Sequence, residues 1–385
     1  MRKLTILLLL LGTVPPAFAA NPVTVEMVDQ LLIYAHGKSD AKLAEQLFDL
    51  ELTERVSPAT LERWEAELPG PKSRQAMIEL ADASMFLRLP PELIPGSPAP
   101  GRDAQDSLLA LAKSYVEDSI PKLPNFFATR NTIQFSDEPP KVNSVTMVNS
   151  PYKQMHLLGT SSDKAYFREG KEVIVTNADK HETPSPEGLY TRGVFGEAIE
   201  LVLSDILPSG PVWSHWEGGP DAPLAVFRYT VSQENSHYAV EVTVDPKAAQ
   251  PSVAYHGEIA IDPADGAIRR LTAMAELGEQ SPMAKADVMV KYGPVEIGGA
   301  TYICPVQSVS LAVIRTLNNA PNLQRRYGPG TTIPGPSLTK VNDVQFTEYH
   351  RFRTQARILT GDDAGEDAPP PASGSAPNLP PNSVP

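Results

Sequence analysis

The stretch EIAIDPADGAIRRLTAMAEL, residues 258–277, decides the fold. Two apolar runs, 258–261 and 268–277, flank Asp262-Pro263-Ala264-Asp265-Gly266. Proline presets one backbone dihedral and glycine accepts a positive one, so the five residues read as a turn joining two antiparallel strands. The same grammar recurs outward from this hairpin. Upstream, Ala225, Phe227, Tyr229 and Val231 alternate with Val226, Arg228 and Thr230, and Tyr238, Val240, Val242 and Val244 read as the partner strand. Downstream, Ala286, Val288, Val290 and Tyr292 lead through a loop to Gly298-Gly299, residues 301–313 return, and 341–359 closes the series.

Earlier in the chain, Phe127, Thr129, Asn131 and Ile133 alternate with Ala128, Arg130 and Thr132. Residues 156–160 and 165–168 precede the turn Glu169-Gly170, with 172–176 returning, and Ser161-Ser162-Asp163 reads as a turn between strands. Period-two alternation with polar tips predicts a meandering antiparallel sheet with one apolar and one mixed face. Such a sheet needs a cover, by curling or by helices packed on it. Inside the series, Phe195, Ile199, Val202, Leu203 and Ile206 fall on one helical face, which predicts an internal helix over 193–206.

Before residue 123 the period is helical. Thr24, Ser39 and Ser57-Pro58 are start signals, Gly37 and Leu68-Pro69-Gly70-Pro71 are stops, and further helices are expected over 73–87 and 103–120. The predicted class is α+β: an N-terminal helical region followed by a large curved antiparallel sheet with an internal helix. The expected divisions are a signal peptide at 1–19, a helical domain at 20–123, a sheet domain at 124–360 and a disordered tail at 361–385. The tail, proline-rich and acidic, has too few large apolar side chains to offset the entropy of ordering.

The first nineteen residues join Arg2-Lys3, the apolar run Leu4 to Leu11 and the small-x-small site Ala17-Phe18-Ala19. That is the pattern of a cleavable secretory leader, too short for a membrane span. It places the chain in the periplasm or outside the cell, away from ready ATP or nicotinamide cofactors. Ala20 stands where a lipoprotein needs its acylated cysteine, so no lipid anchor is expected there. The formal charge is −13, and −15 without Arg2 and Lys3, which disfavours nucleic acid and anionic membranes as partners. Cys304, the single cysteine, excludes an internal disulfide and reads as a buried small hydrophobe.

No phosphate loop, His-Glu-x-x-His pair or Gly-x-Ser-x-Gly elbow is present. Two clusters stand out instead. In Trp213-Ser214-His215-Trp216-Glu217, simple alternation puts Trp213, His215 and Glu217 on one strand face and Ser214 and Trp216 on the other. In Tyr255-His256-Gly257-Glu258, His256 and Glu258 point the same way. Trp213, His215, Trp216, Glu217, His256 and Glu258 are therefore the candidate ligand-binding residues. If the strands were neighbours, His215, Glu217, His256 and Glu258 would converge as a metal site, with His237 a further contributor. The plainer reading gives the tryptophans to the core and leaves each His/Glu pair at a strand end. His36, His156, His181 and His350 are isolated, and Arg325-Arg326 sits in a Gly/Pro-rich loop. No catalytic residue and no cofactor is assigned.

The hairpin Ile261-Asp262-Pro263-Ala264-Asp265-Gly266-Ala267-Ile268, with the later Gly298-Gly299 turn and Cys304-Pro305, resembles the outer-membrane lipoprotein-carrier superfamily. The resemblance covers about a third of the chain. It implies a curved half-barrel, closed by helices, that holds an acyl chain in its hollow, and it transfers no binding residue. The leading expectation is a non-enzymatic exported binding protein for an apolar ligand or an envelope protein partner. A metal-dependent hydrolase and an interaction scaffold are the alternatives.

Overall fold

The computed structural model describes residues 21–352 except 36, 139–140, 143–144, 147–153, 174–192, 220–221, 241–251, 316, 319–332 and 335–336. The leader expected at 1–19, the loop expected around Arg325-Arg326 and the tail expected at 361–385 lie outside the described residues, as do His36 and His181.

The chain begins with β1 (Asn21–Val23), α1 (Val25–Ala35), α2 (Asp40–Phe48), β2 (Leu50–Leu52), α3 (Pro58–Glu67) and α4 (Pro71–Ala83). β1 and β2 pair in parallel and tie the start of this unit to the segment between α2 and α3. The start of α3 follows from its residues: the Ser57 side chain accepts the Thr60 N–H, and Pro58 occupies the first turn, where no N–H is needed. These helices share a core of their own around Val28, Leu47, Trp64 and Met77. We refer to the unit as the cap.

The 18-residue α5 (Arg102–Ser119) then leads to β3 (Phe126–Ser136). The short pair β4 (Lys141–Val142) and β5 (Val145–Thr146) precedes β6 (His156–Arg168), β7 (Lys171–Val173) and α6 (Glu197–Ile206). β8 (Val212–Glu217), β9 (Leu224–Val231), β10 (Tyr255–Ile261), β11 (Ile268–Ala275), β12 (Met283–Ile297) and β13 (Ala300–Ile314) follow. The small pair β14 (Leu317–Asn318) and β15 (Ile333–Pro334) comes before β16 (Leu338–Arg351). Ten strands form one open, curved antiparallel sheet in the order β7-β6-β3-β16-β13-β12-β11-β10-β9-β8. The fold is α+β, with α6 as the internal helix.

The topology has a simple logic. β3 enters third from one edge and the chain works outward through β6 to the edge strand β7. The segment carrying α6 crosses to the opposite edge, from which β8 to β13 meander back, and β16 closes against β3. The two open edges are thus joined by the α6 segment. The turn at 262–266 is held by Gly266 N–H to the Asp262 carbonyl at 2.9 Å and by Ala264 N–H to Asp262 Oδ1 at 3.0 Å. Gly266 has φ +82°, and a Cβ there would lie 2.6 Å from the Leu111 carbonyl oxygen, so the turn is also the seat of α5.

Each face of the sheet has its own cover. On one, Phe126, Phe167, Phe227, Tyr255, Ile259, Leu271 and Val290 pack with Phe195, Val202 and Ile206 of the α6 segment and Ala112 and Val116 of α5. The predicted helical region at 20–123 therefore divides by packing, since α5 belongs to the sheet's core and α1–α4 to the cap. On the other face, Met85 at the end of the cap packs on Phe135, Met289, Val309, Leu311 and Val341.

Three local readings need correction. Tyr238 and Ala239, read as the start of a strand beside β9, lie in a loop with one bridge from Ala239 to Ser252, the neighbours of β9 are β8 and β10, and 241–251 lies outside the described residues. Ser161-Ser162-Asp163 is no turn but the middle of the 13-residue β6, where polar side chains suit the exposed surface. The loop expected before Gly298-Gly299 is strand, because β12 runs to Ile297 and the two glycines, at φ +61° and +86°, make a two-residue hairpin turn.

Candidate functional site

The singled-out residues separate by face, and a bulge decides how. The β8–β9 register shifts between Trp213 and His215, so Ser214 is the extra residue. Trp213 and Trp216 consequently share the α5–α6 face, with ring centroids 5.0 Å apart and Trp213 edge-on to Phe227 at 5.5 Å. His215 and Glu217 turn to the cap face. Simple alternation had put Trp213 with His215 and Glu217; the burial of both indoles on one side overrides it.

On the cap face, Glu217 is the centre of a buried ion cluster. Its Oε2 accepts from Arg55 of the cap at 2.5 Å and from Arg270 of β11 at 2.7 Å. The same Arg270 nitrogen reaches Glu258 Oε2 at 3.1 Å. Burial opposes the charge on Glu217, but Arg270, His215 and Arg55 outweigh it and hold this carboxyl well below the usual range. Burial likewise opposes the charge on Arg270, and the two glutamates reverse that effect and raise its pKa. The four groups cancel in charge.

The four residues that could have formed a metal site on neighbouring strands do not converge, and β9 lies between β8 and β10. Glu217 and Glu258 are brought together, but by a guanidinium that occupies their oxygens. His215 Nε2 stands 3.6 Å from Glu217 Oε2, and its Nδ1 pairs with Ser214 Oγ at 2.8 Å. His256 is taken by Glu276, with Nδ1 2.6 Å from Oε1. His237 is elsewhere again: its Nδ1 lies 2.6 Å from Oδ1 of the buried Asp205, whose Oδ2 accepts from Tyr255 OH at 2.9 Å. Among the described residues, no group of three or more His, Cys, Asp or Glu side chains is placed to hold a metal. Cys304 is buried, and burial pushes its thiol up to about 12.

Comparison with known family models, curated proteins and solved structures finds no match.

A second buried cluster lies farther along the cap face, and sequence reading missed it. Gln307 Nε2 donates to Asp343 at 2.8 Å and reaches Asp82 of α4 at 3.4 Å. Burial, and then the charge of Asp343, raises the Asp82 pKa well above its ordinary value, and burial raises that of Asp343. Burial depresses the nearby Lys291. One turn earlier on α4, Glu79 is fully buried and pushed up to about 8 by burial, then by the charges of Asp137 and Glu51.

The register connects these clusters. Arg270, Lys291, Gln307, Gln345, Asn131 and Ser162 face one another in turn across six neighbouring strands. The row forms a polar ladder between the apolar patch under the cap and the open part of the same face. A signal existed in each strand, as a polar residue in an apolar alternation, but only the strand order lines them up.

The α5–α6 face has a boundary of its own. Its apolar side chains on β9 to β12 give way on β13, β16 and β3 to buried Ser308, Ser310, Asn342 and Thr132. Ser308 is 2% exposed, and its hydroxyl has no hydrogen-bond partner among the described residues. Asn342 and Ser310 are directly opposed in the ladder, and Ser308 sits between Val290 and Val344.

Proposed function

We propose that the chain is an exported, non-enzymatic binding protein that takes an apolar ligand, such as an acyl chain, against the sheet face covered by α5 and α6. The observation that carries this reading is the amphipathic division of that face. An apolar field adjoins a patch of buried hydroxyl and amide side chains, and the Ser308 hydroxyl at their border lacks a partner among the described residues. A buried hydroxyl without a partner costs about 1–3 kcal/mol, and the polar end of an amphiphile would supply that partner. The apolar part would be held by burial, at about 25 cal/mol per Å² removed from water. The half-barrel resemblance and the leader at 1–19 support the same reading and its envelope address.

The test is mass spectrometry of small molecules extracted from the exported protein after purification without detergent. A co-purifying lipid is expected, with lower occupancy in Ser308→Ala. The same variant, ligand-free, should be as stable as the parent or about 1 kcal/mol more stable, because an unpaired polar atom is gone. Finding no lipid in several expression hosts would overturn the reading.

A further inference from the structure

We propose that the part of the cap face left open beyond the polar ladder, where Tyr166, Phe127 and His350 stand side by side on β6, β3 and β16, is a binding platform for a linear glycan.

The register sets three kinds of chemistry in parallel rows. First comes a hydroxyl–amide row, in which Ser162 Oγ donates to Asn131 Oδ1 at 2.8 Å and Asn131 Nδ2 to Thr347 Oγ1 at 3.2 Å. Two residues on is a charged row, where Thr129 Oγ1 donates to Glu348 Oε2 at 2.7 Å with Lys164 directly opposite Thr129. Two residues farther is the ring row: Tyr166 and Phe127 have centroids 6.0 Å apart, and Phe127 and His350 5.1 Å. Thr347, Glu348, His350, Lys164 and Ser162 are all exposed.

A pyranose ring presents just these needs. Its C–H face packs on an aromatic ring while its equatorial hydroxyls look sideways for donors and acceptors. Here the charged row lies one strand repeat, about 7 Å, from the rings, and the hydroxyl–amide row about twice as far. The rings follow one another across neighbouring strands at 6.0 and 5.1 Å, a spacing comparable with that of consecutive sugars in an extended chain. Lys164 Nζ rests 4.7 Å over the Phe127 ring, and its flexible stem lets a sugar face take that place.

A row of rings can also stabilise a sheet surface without binding anything. The backbone of Glu348 goes beyond that role. β16 bulges between Thr347 and His350, and Glu348 adopts φ +50°, a left-handed conformation unfavourable for any residue with a side chain. The irregularity sends Tyr349 to the opposite face, where its hydroxyl donates to the Pro305 carbonyl, and keeps Glu348 among the exposed hydroxyls. Strain of this kind concentrates where a side chain must be aimed. The charge is mixed, with Lys164 and Arg168 against Glu348, on a chain of net charge −13. That balance favours a polyhydroxyl ligand over an anionic surface.

Calorimetric titration of the full chain with chitohexaose and with cellohexaose tests the proposal, beside co-sedimentation with anionic phospholipid vesicles. Saturable binding to at least one oligosaccharide is expected, about tenfold weaker or more in Tyr166→Ala and in Glu348→Gly. Glu348→Gly should also raise the melting temperature, because glycine accepts the positive φ. Binding lost while stability rises cannot come from a structural role. No binding of either sugar, or binding that both variants leave intact, overturns the proposal. Vesicle binding that Lys164→Ala removes would reassign the face to an anionic surface. Lipid co-purification should be the same in Tyr166→Ala as in the parent, so this platform and the acyl-chain reading fail separately.

Discussion

The two faces of one sheet are built on opposite principles. Against α5 and α6 the strands present aromatic and aliphatic side chains, and buried tyrosine hydroxyls find carbonyls or a carboxylate: Tyr229 at Thr272, Tyr292 at Val194, Tyr255 at Asp205. Against the cap the same strands present Glu217, Glu258, Arg270, Lys291, Gln307 and Asp343, with apolar patches around Phe135 and Val309 and around Val226 and Ala260. The difference follows from who owns the core. α5 and α6 have no core apart from the sheet, whereas the cap encloses Trp64, Leu47 and Met77 by itself. An element that completes a core docks through area; a unit with its own core can dock through matched charges.

The largest expected effect breaks the ionic side. Arg270→Met leaves the half-buried Glu217 and Glu258 side by side on the cap face without the cation between them, and should lower stability by about 3 kcal/mol in urea unfolding. Replacing Arg55, Glu217, Glu258 and Arg270 together by Met or Leu should recover most of that loss, since the penalty belongs to uncompensated charge. If the fourfold variant stays as unstable as the single one, packing rather than charge holds this junction.

An effect of comparable total size, spread over several pH units, separates the two clusters by the sign of their pH response. The folded pKa of Glu79, about 8, is above its ordinary 4.5. Its neutral form is therefore favoured by the fold below pH 4.5, and that stability is lost as pH rises toward 8, by at most ~1.4 kcal/mol per unit. Glu217 behaves in reverse, because its folded pKa is depressed: its contribution is present above the ordinary carboxylate range and lost as pH falls. Glu79→Gln should flatten the urea midpoint between pH 4.5 and 8 and leave the acid limb unchanged. An unchanged slope would mean that Glu79 is charged in the folded chain.

How much of this was legible depended on distance along the chain. The turn at 262–266, the glycine pair at 298–299 and the helix at 197–206 rest on residues within a few positions of each other, and their types could be read directly. The pairing of β3 with β16 joins segments about two hundred residues apart, and no local pattern announces it. Among the singled-out residues, Glu217 and Glu258 do belong to one cluster. Arg55, which meets Glu217 from 162 positions away, could not be foreseen, and it turns two carboxylates from apparent metal ligands into arginine acceptors. Trp213 and Trp216 could be placed on one face only by knowing the bulge at Ser214. Alternation shows which side chains share a face; the strand order and the cover decide what they meet.

The smallest effect tests the apolar side, at its few buried polar exceptions. Glu258 N–H donates to Thr272 Oγ1 at 2.8 Å, and the Thr272 carbonyl accepts from Tyr229 OH at 2.5 Å. A side chain at Gly257 would run into that carbonyl and the Tyr229 hydroxyl, so glycine makes the insertion feasible. Tyr229→Phe keeps the ring and its packing but takes a donor from a buried carbonyl, which should lower stability by about 1–3 kcal/mol. Tyr292→Phe, whose partner is the Val194 carbonyl at the start of the α6 segment, should fall in the lower half of that range because that carbonyl lies outside the ladder. Amide exchange should separate the two: Tyr229→Phe speeds exchange at residues 257–259 and 271–273, while Tyr292→Phe speeds it near residues 194–198. If Tyr229→Phe costs nothing and leaves exchange in β10 unchanged, the ladder has closed over the gap. The hydroxyl would then be a tenant of this face rather than part of its construction.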